Sequence, residues 1–590
     1  MKLETLNDIF FNSVAGNHSR VMTYRQGGRW LNISSQELYR QVTAVARALQ
    51  SWGFGKGDHV AILSENRPEW QIADFACLLL GIVDVPIYAT LPADQIIYLL
   101  NNSEARAIFV STEEQLQKVL QVRSQTNIEK IVLMDDVPRT EAVSFRSLIA
   151  NAPAGRDAGL DAIAQAIKPD DLATIIYTSG TTGTPKGAML SHGNIASNIS
   201  FSLRDFGSDP CDLSISYLPL SHITARHLDY YCLQCGVTLA YCPHLEDLPQ
   251  TMLETKPTLL VSVPRVYEKV YNKVLLETRR GIKHSIYEWA MKVGRAHREE
   301  ILAGRIPSSL KWKMANALLF SKIRKGFGGQ TRAFISGGAP LGIDLATWFA
   351  DIGIVILQGY GLTETSPVIA INTPEVHRIG TVGKKLPNVE IKIAEDGELL
   401  VRGPSIFHGY WKLPEETQNA FADGWFKTGD IASLDSDGFL RITDRKKDLI
   451  KTSGGKFIAP QPLENQLKSN PLISQAAIIG ERRKFPAVII APQFGALQEW
   501  AREHNVSFSS PAQLITHPKV QELYENIVET LNAKLAQFEK LKKVLLVPDE
   551  FSIATGELTP SMKLKRRFVE QKYKAQIEEL YTQTESRVTV

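Results

Sequence analysis

The segment Tyr177-Thr-Ser-Gly-Thr-Thr-Gly-Thr-Pro-Lys-Gly187 directly follows the apolar run Leu172–Ile176, which has the composition of a buried strand. Glycines allow the backbone N–H groups of a loop to approach an anion, hydroxyl groups donate hydrogen bonds, and Lys186 adds a positive charge. The segment is not a Walker A loop, because Gly187 stands where that motif has Ser or Thr. A run of Ser, Gly and Thr is also typical of an ordinary surface loop. At the end of a strand, however, it predicts a polyphosphate site.

Short apolar runs alternate with polar, periodic stretches around this loop. Ser35–Trp52 and Trp70–Gly81 have helical patterns, and His59–Leu63 and Val83–Ile87 have strand patterns. Further strands are predicted at Ala107–Val110, Lys130–Met134, Asp212–Leu218, Leu259–Val263, Ala333–Ser336 and Val355–Gln358. This alternation predicts an α/β fold with a largely parallel, doubly wound sheet. Ligands of such sheets bind beyond the carboxyl ends of the strands, so the loops after these strands are candidate sites.

The pattern changes after about residue 380. Val389–Ile393, Glu398–Val401 and Phe439–Ile442 are short strand-like segments between Gly, Asp and Pro turns, which predict a small β-barrel-like subdomain. From Asp444 onward the pattern is α+β and ends in helices rich in Lys and Glu. A chain of 590 residues exceeds the size at which one core usually stops growing. We expect a large domain at 1–444, a hinge at 445–447 and a small, mobile domain at 448–590.

Composition excludes several classes of protein. Hydrophobic residues make up 44% and charged residues 22% of the chain, which excludes a mostly disordered or fibrous protein. The net charge of +3 gives no indication of a nucleic-acid partner. Five cysteines are too few for a disulfide framework, and nothing completes a zinc pattern around Cys232 and Cys235. We expect reduced thiols.

No secretory signal or membrane span is predicted. The N-terminal segment MKLETLNDIFFNSV has no basic stretch followed by an apolar one. The most apolar stretch, Phe75–Tyr88, contains Asp84 and is shorter than the ~20 residues that cross a bilayer. We therefore expect a cytoplasmic protein.

One stretch, expected to form a helical insertion at 265–330, is strongly basic. From Arg265 to Lys325 the chain has 15 Lys and Arg against 5 Glu and no Asp, a local charge of about +10. A solvated helical insertion accounts for this composition. An alternative is a surface that contacts anionic lipid, where each basic residue contributes about 1 kcal/mol. That alternative allows peripheral contact with the inner face of a membrane.

Four further motifs follow the phosphate loop in a fixed order. They are Ser336-Gly-Gly-Ala-Pro340, Gln358-Gly-Tyr-Gly-Leu-Thr-Glu-Thr365, Trp425-Phe-Lys-Thr-Gly-Asp430 and Asp444-Arg-Lys-Lys-Asp448. With the loop, they resemble the adenylate-forming (AMP-binding) superfamily, which includes acyl-CoA synthetases, luciferases and the adenylation domains of peptide synthetases. The resemblance extends from about Tyr24 to Arg567 and implies the fold of these enzymes.

Within the superfamily, the chain looks most like the long-chain fatty acyl-CoA synthetases. The resemblance rests on Leu259-Leu-Val-Ser-Val-Pro-Arg-Val-Tyr267 and on the helical insertion that follows it. It implies that Tyr267 gates a tunnel for the fatty acid, although an aromatic residue at the start of a helix needs no such role. His222 lies where the family has a residue that lines the acyl pocket.

The resemblance also implies roles for individual residues in ATP binding. The phosphate loop would hold the β- and γ-phosphates, residues of the second and third motifs would enclose adenine, and Thr363 would reach the α-phosphate. Glu364, with the hydroxyl of Thr178, would hold Mg²⁺. Asp430 would accept hydrogen bonds from the ribose, with Arg445 beside it. The expected ATP or AMP ligands are Thr178, Ser179, Gly180, Thr181, Thr182, Lys186, Gly337, Gly338, Ala339, Gln358, Gly359, Tyr360, Gly361, Thr363, Asp430 and Arg445.

The small domain is implied to supply the mobile groups. In Thr559-Pro-Ser-Met-Lys-Leu-Lys-Arg-Arg567, Lys563 matches the catalytic lysine of the family, while Met562 replaces its usual Gly. Lys565 is the rival candidate. With Lys186 and Glu364, Lys563 would stabilise the reacting anions. For thioester formation, Lys451, Gly454 and Gly455 would contact CoA after rotation about the hinge residue Lys447.

The predicted function is ATP-dependent activation of a long-chain fatty acid to acyl-AMP, followed by transfer to CoA. Its substrates would be the fatty acid, ATP and CoA, with Mg²⁺ as cofactor and no nucleic acid. Three alternatives are a fatty acyl-AMP ligase that serves a carrier protein, an aryl or medium-chain acyl-CoA ligase, and a catalytically silent nucleotide-binding scaffold. The sequence leaves the oligomeric state open, with a homodimer among the options.

Overall fold

The computed structural model of the protein describes residues 3–150, 152, 155–178, 184–453, 456–552, 554–559 and 563–585. The strands, in chain order, are β1 (Met22–Gln26), β2 (Arg29–Ile33), β3 (His59–Leu63), β4 (Val83–Ile87), β5 (Ala107–Val110), β6 (Lys130–Leu133), β7 (Val143–Ser144), β8 (Leu172–Thr178), β9 (Lys186–Ser191), β10 (Leu213–Ser216), β11 (Thr238–Tyr241), β12 (Leu259–Ser262), β13 (Ala333–Ser336), β14 (Ile356–Gly361), β15 (Val368–Ile371), β16 (Lys384–Lys385), β17 (Glu390–Ile393), β18 (Glu398–Arg402), β19 (Phe421–Ala422), β20 (Trp425–Leu434), β21 (Leu440–Arg445), β22 (Ile450–Lys451), β23 (Phe457–Ile458), β24 (Ile473–Ile479), β25 (Ala487–Pro492) and β26 (Val544–Leu546).

The helices connect these strands on both faces of the sheets. They are α1 (Leu6–Ala15), α2 (Ser35–Ser51), α3 (Pro68–Leu79), α4 (Ala93–Ser103), α5 (Glu113–Val122), α6 (Phe145–Ala150), α7 (Ala158–Gln165), α8 (His192–Ser202), α9 (Ile223–Gln234), α10 (Leu248–Thr255), α11 (Pro264–Glu277), α12 (Gly281–Leu302), α13 (Leu310–Ala315), α14 (Ser321–Gly326), α15 (Ile343–Asp351), α16 (Pro414–Ala420), α17 (Pro460–Lys468), α18 (Phe494–Glu503), α19 (Pro511–Thr516), α20 (Pro518–Asn532), α21 (Arg566–Lys572) and α22 (Lys574–Glu585). A π-helical segment, Asn316–Phe320, joins α13 to α14.

Two large sheets form the N-terminal part of the molecule. One has the order β7-β6-β5-β3-β4-β8-β9, and the other β16-β15-β14-β13-β12-β10-β11-β1-β2. Their inner strands, such as β3, β4 and β13, are buried along their whole length, as expected for parallel strands covered by helices on both faces. The predicted doubly wound α/β architecture is confirmed. The sequence prediction missed the hairpin β1–β2, whose turn residues Gly27 and Gly28 both have positive φ.

The order of the strands brings the predicted motifs to the same edge. β13 and β14 are parallel neighbours in which Ser336 lies opposite Gln358, so the two segments that follow lie side by side. Gly338, just after β13, has a φ of +77°, a conformation that favours glycine. A smaller antiparallel sheet built around β20 comes next, and it pairs Asp430 with Arg445 on β21.

The C-terminal part has its own sheet of β24, β25 and β26, packed against helices such as α17 and α20. The apolar clusters divide in the same way. The buried members of the N-terminal clusters end at Leu440, and those of the C-terminal clusters begin at Ile450. In the part of the chain that the structure describes, no helix is long and apolar enough to cross a membrane.

The basic insertion consists of α11 to α14, with the π-helical segment. One side of it packs on the larger sheet and on α15 through an aromatic cluster that includes Tyr267, Phe320 and Phe349. Its basic residues also reach the C-terminal part of the chain. Arg279 Nη2 lies 2.8 Å from the carboxylates of both Glu499 and Glu503, on α18. Part of the positive charge of the insertion therefore joins the two parts of the molecule.

Candidate active site

A cleft of about 2220 Å³ separates the N-terminal and C-terminal parts. Its walls include the ends of β8, β13 and β14, the start of α11, and the segment before α21. Sites for single small ligands measure about 300 to 1,000 Å³, so this cleft has room for more than one substrate. Most of the predicted site residues that the structure describes line it.

The phosphate loop begins where β8 ends. Thr178 lies opposite Lys186 in the β8–β9 pair, and its hydroxyl donates a hydrogen bond of 3.4 Å to the Lys186 carbonyl. The Nζ atom of Lys186 lies 5.4 Å from the centroid of the Tyr410 ring, a cation–π contact. Both residues line the cleft. The expected phosphate ligands Ser179, Gly180, Thr181 and Thr182 lie outside the described residues.

Glu364 stands on the short helical turn Thr363–Thr365 that follows β14. The hydroxyl of Tyr410 donates a hydrogen bond of 2.8 Å to Glu364 Oε1. Burial, together with this carboxylate, raises the pKa of Tyr410, so the phenol stays protonated and remains a donor. The turn packs against β9, which holds the carboxylate near Lys186. A carboxylate, a lysine and a phenol thus share one wall.

Asp430 is the centre of a second polar group. The Tyr360 hydroxyl donates a hydrogen bond of 2.5 Å to Asp430 Oδ2, and Arg445 Nε lies 3.2 Å from Oδ1. The carboxylate is almost fully buried, with a side-chain exposure of 4%. A Cβ on Gly361 would lie 1.7 Å from the carbonyl oxygen of Pro367, so this position requires glycine. The backbone next to Tyr360 is therefore closely packed.

The adenine-binding segments predicted from the sequence form the neighbouring wall. Gly338 and Ala339 line the cleft after β13, and Gln358, Gly359 and Tyr360 line it on β14. Gly337 directly precedes them, and its N–H donates to the carbonyl of Ser262 on β12. The parallel register of β13 and β14 is what brings the two motifs together, because they are 22 residues apart in the sequence.

Lys563 enters the cleft from the C-terminal part. Solvent in the cleft reaches the Lys563 side chain, and protein from both walls of the cleft lies around it. This burial by protein, reinforced by the nearby cations Arg445 and Lys447, lowers the pKa of Lys563 to about 8, while Asp430 and Glu364 partly offset the shift. These interactions place the Lys563 charge beside the residues expected to bind ATP.

Lys565, the rival of Lys563, is held differently. Its Nζ atom lies 5.8 Å from the centroid of the Phe568 ring. Arg566, the residue after Lys565, fixes the end of this segment by donating hydrogen bonds of 2.5 Å to Glu464 and 2.6 Å to the Ile478 carbonyl. The largely buried Arg566–Glu464 ion pair belongs to the small domain, so it fixes the position of the segment that carries Lys563.

His222 caps the N-terminus of α9. Its Nδ1 accepts a hydrogen bond of 3.2 Å from the Thr224 N–H, so the ring proton is assigned to Nε2. Burial, with a smaller contribution from Lys563, lowers the pKa of His222 to about 4, and the ring is neutral at pH 7. His222 lines the cleft, and its role in an acyl pocket stays a prediction.

Tyr267 does not reach the surface of the cleft. The side chain is fully buried, its hydroxyl donates a hydrogen bond of 3.0 Å to the Ile335 carbonyl, and its ring packs on Phe327 and Phe349. Tyr271, one turn further along α11, lines the cleft instead. The sequence analysis did not select Tyr271, which lies next to Tyr267 on the helix and carries the same side chain.

The residues predicted to contact CoA are only partly described, since Gly454 and Gly455 lie outside the described residues. Lys451 is exposed, and its Nζ atom lies 5.4 Å from the centroid of the exposed Phe457 ring. Lys447, the predicted hinge residue, lines the cleft. In this arrangement the C-terminal part presents Lys563 to the cleft, and Lys451 is not part of the lining.

Comparisons with known proteins agree with this geometry. The family model of the AMP-binding enzymes matches residues 10–411, and that of the AMP-binding enzyme C-terminal domain matches residues 447–585. The chain belongs to the AMP-binding enzyme family. The first match begins within α1, and residues 412–446, which include Asp430 and Arg445, lie between the two family models.

Among curated members of the family, the chain is similar to long-chain-fatty-acid–CoA ligases. It is 38% identical to FadD15 of Mycobacterium bovis over 94% of this chain and 93% of that protein. It is 31% identical to human ACSBG2, over 98% and 92% of the two chains. The predicted resemblance to the long-chain fatty acyl-CoA synthetases is confirmed.

The fold is shared with solved structures of the family. An anthranilate CoA ligase, AuaEII, in complex with anthranoyl-AMP has a TM-score of 0.74 at 19% identity, covering 97% of this chain and 98% of that one. The adenylation domain of a carboxylate reductase from Mycobacterium chelonae has a TM-score of 0.78 at 24% identity, covering 98% and 91%. At these identities the likeness establishes the fold alone.

Two groups beside the site were missed in the sequence. Tyr410, which binds Glu364, has no motif that connects it to the cleft; only its place in an aromatic loop, Phe407 to Trp411, was visible. The second is a fully buried network in which Arg226, on α9, bonds to Asp74 and Asp84. Burial raises the pKa of Asp74 to about 7, although Arg226 opposes the shift.

The Arg226 network connects two elements that carry site residues. Arg226 Nη1 also donates a hydrogen bond of 2.8 Å to the hydroxyl of Thr174, which lies on β8 four residues before Thr178. On α9, Arg226 lies one helical turn after His222. The network therefore fixes the helix that presents His222 to the strand that leads into the phosphate loop.

Proposed function

We propose that the protein joins a long-chain fatty acid to CoA in two steps. The carboxylate of the acid attacks the α-phosphorus of ATP, giving acyl-AMP and pyrophosphate, and the thiol of CoA then displaces AMP. The single observation that carries this proposal is the meeting of Lys563, from the C-terminal part, with the Asp430–Arg445 and Glu364 groups in one cleft. An acyl-AMP intermediate needs one site for both anionic reactants, and this cleft supplies it.

The ATP-binding roles follow from chemistry and position. Asp430, with its two carboxylate oxygens already oriented by Tyr360 and Arg445, would accept hydrogen bonds from the ribose hydroxyls. Tyr360 would stack on adenine through its ring while its hydroxyl stays on Asp430. Thr178 and Lys186, at the two ends of the phosphate loop, would contact the β- and γ-phosphates.

The residues present fit a magnesium ion. Glu364 and Thr178 offer hard oxygen ligands, which Mg²⁺ prefers, and both line the same cleft. When bound there with ATP, the ion would neutralise part of the phosphate charge. Tyr410 would orient the Glu364 carboxylate through its hydrogen bond.

Lys563 would stabilise the approach of the two anions in the first step. A protonated amine between the acid carboxylate and the α-phosphate lowers their repulsion, the main barrier to attack. Burial, together with the cations already in the cleft, lowers the pKa of Lys563 to about 8, and bound phosphate would raise it. His222, neutral and held by its capping bond, would line the acyl side.

The second step needs a different orientation of the small domain. We propose that residues 448–590 turn as a unit about 445–447, since the apolar clusters on the two sides share no members. Rotation about Lys447 would remove Lys563 from the cleft and carry Lys451, with Gly454 and Gly455, towards the adenylate. The large domain, 1–444, would keep the adenylate in place.

Acyl specificity is assigned to the wall formed by α11. Tyr267 is proposed to gate a tunnel into the aromatic cluster behind the cleft, and its burial is that of a closed gate. Opening would require the ring to leave Phe327 and Phe349. We further propose peripheral contact with the inner face of a membrane, through the basic insertion, because long-chain acids reside in bilayers.

A pyrophosphate-release assay across acetate, benzoate, octanoate and hexadecanoate, with and without CoA, tests the function. Fastest release with hexadecanoate, and acyl-CoA formed only when CoA is added, are the expected results. Preference for benzoate or octanoate would favour an aryl or medium-chain ligase. Adenylation without transfer to CoA would favour an enzyme that serves a carrier protein. Absence of acid-dependent release would indicate a silent scaffold.

A further inference from the structure

Four large apolar side chains lie exposed at intervals of four residues in the insertion. Ile306, Leu310, Met314 and Leu318 are 88%, 74%, 49% and 43% exposed. Single exposed apolar residues are common on proteins, but a row of them along one element marks an interaction surface. We call this row the apolar stripe.

Leu310 and Met314 on α13 and Leu318 in the π-helical segment lie along one face of a continuous helical segment, and Ile306 lies in the loop that precedes it. The opposite face is buried in the aromatic cluster of the insertion through Trp312, Ala315, Phe320 and Ile323. Residues four apart fall on the same side of a helix, so the stripe points away from the protein core. The core contacts of this segment are therefore made by its other face.

Lysines flank the stripe on both sides. At the helical spacing, Lys313 falls on one side of it, and Lys311 and Lys322 fall on the other, with Lys325 at its end. All four are exposed, and none forms an ion pair with a carboxylate within the described residues. From residue 301 to 343 the sequence contains no Asp or Glu.

Several arginines of this region have structural partners. Arg324 donates a hydrogen bond of 2.7 Å to the Ile352 carbonyl, and Arg332 pairs with Asp212. Arg279 and Arg280 pair with the C-terminal part through Glu503. The positive charge of the insertion is thus divided. The arginines hold the fold together, and the lysines beside the stripe are left to solvent.

We propose that the apolar stripe and its four lysines, residues 306–325, are a docking surface for a bilayer that contains anionic lipids. The apolar side chains would enter the boundary between headgroups and acyl chains. The lysine stems would lie along the apolar surface, with the ammonium groups at the level of the phosphates. This proposal rests on the membrane contact given under the proposed function, and it assigns that contact to one face of the insertion.

A second copy of this chain fits the surface less well. A symmetric pair would bring the same face of each copy together and place lysines opposite lysines, and residues 301–343 supply no Asp or Glu to pair with them. An anionic membrane satisfies both features at once, because it offers negative charge at its surface and an apolar interior beneath it.

Sedimentation with liposomes tests the proposal without depending on catalysis. The purified full chain is mixed with vesicles of phosphatidylcholine alone or with a third of phosphatidylglycerol. We expect binding to the mixed vesicles only, weakened by salt. In K311E/K322E, binding should fall at least 25-fold, since each lysine contributes about fivefold at an anionic surface. The control K392E/K542E makes the same change of charge outside this face and should bind like the unaltered protein.

The stripe itself is tested separately with L310S/M314S/L318S. This variant should lose the part of the binding that survives high salt, while an unchanged circular dichroism spectrum and melting temperature show that it folds. Equal binding losses in both double variants would overturn the proposal, because only net charge would then matter. A stripe variant that binds vesicles normally but changes oligomeric state in light scattering would also overturn it, in favour of a second copy. Failure of all acids in the assay above would reject the function without touching this result.

Discussion

The two sides of the cleft are organised in different ways. On the large-domain side, the polar groups bind one another: Tyr360 and Arg445 hold Asp430, and Tyr410 holds Glu364. On the small-domain side, burial in the cleft and the nearby cations Arg445 and Lys447 lower the pKa of Lys563. The first side is pre-organised before any substrate arrives. The second carries a charge that burial makes less favourable than in water.

This difference suggests a division of work between binding and switching. Groups that bind ATP in both steps benefit from fixed geometry, because no reorganisation is needed when the substrate arrives. A group needed in the first step alone benefits from weak attachment, because it must leave for CoA to enter. The predictions below test this division, beginning with the largest effect.

Replacing Lys563 with Met should slow adenylation by about 10² to 10³-fold, the usual cost of removing one charge-stabilising donor. Thioester formation from supplied acyl-AMP should be retained, since the lysine acts only before the adenylate exists. The two half-reactions are measured separately, by pyrophosphate release and by acyl-CoA formation. K565M is the matched control and should behave like the unaltered enzyme; an equal loss in both half-reactions of K563M would refute the assignment.

Asp430→Asn should lower kcat/KM for ATP by about 10 to 100-fold, because hydrogen bonds that involve a charged group are worth about 1.5 to 3 kcal/mol. It also leaves the Arg445 guanidinium without its carboxylate. Unlike K563M, this variant should impair both half-reactions, which is measured by AMP binding and by the two assays. D435N, which changes an exposed carboxylate outside the cleft lining, is the control. Unchanged AMP affinity in D430N would contradict the ribose role.

The pH dependence of adenylation should reveal the low pKa of Lys563. The protonated amine is the active form, and its pKa in the free enzyme is about 8. Thus kcat/KM should be constant below that pH and fall about tenfold per unit above it. In K563R the fall should disappear from this range, because the guanidinium stays charged. A profile that keeps its fall in K563R would assign the titration to another group.

Breaking the ion pairs of Arg279 with Glu499 and Glu503 should have the smallest effect of these changes. These partly exposed pairs contribute about 0.2 to 0.5 kcal/mol each, so R279E should slow adenylation only about two- to fivefold. Thioester formation should not slow, since the small domain turns away from these contacts. R295E makes the same change on an exposed part of the insertion. The comparison of two half-reaction rates checks the idea, and equal slowing in R295E would exclude a specific contact.

Periodicity predicted most of the strands in the large domain, because parallel strands covered on both faces are continuous apolar runs. Ala107–Val110 and Ala333–Ser336 match the structure residue by residue. The edge hairpin β1–β2 was not predicted, since Met22–Gln26 and Arg29–Ile33 are half polar and have no apolar run. Their Gly27-Gly28 turn was the available signal.

The sequence by itself determined the family, the order of the motifs and the identity of Lys563, Asp430 and Glu364 as candidates. Those features are local, because a loop that holds an anion needs particular residues in a row. Only the tertiary structure decided that Tyr410 orients Glu364, that Arg226 ties α9 to β8, and that Tyr267 is buried while Tyr271 faces the cleft. These relations join residues that are far apart in the chain, or depend on which side of a helix is covered. Such relations are decided by the packing of the folded chain.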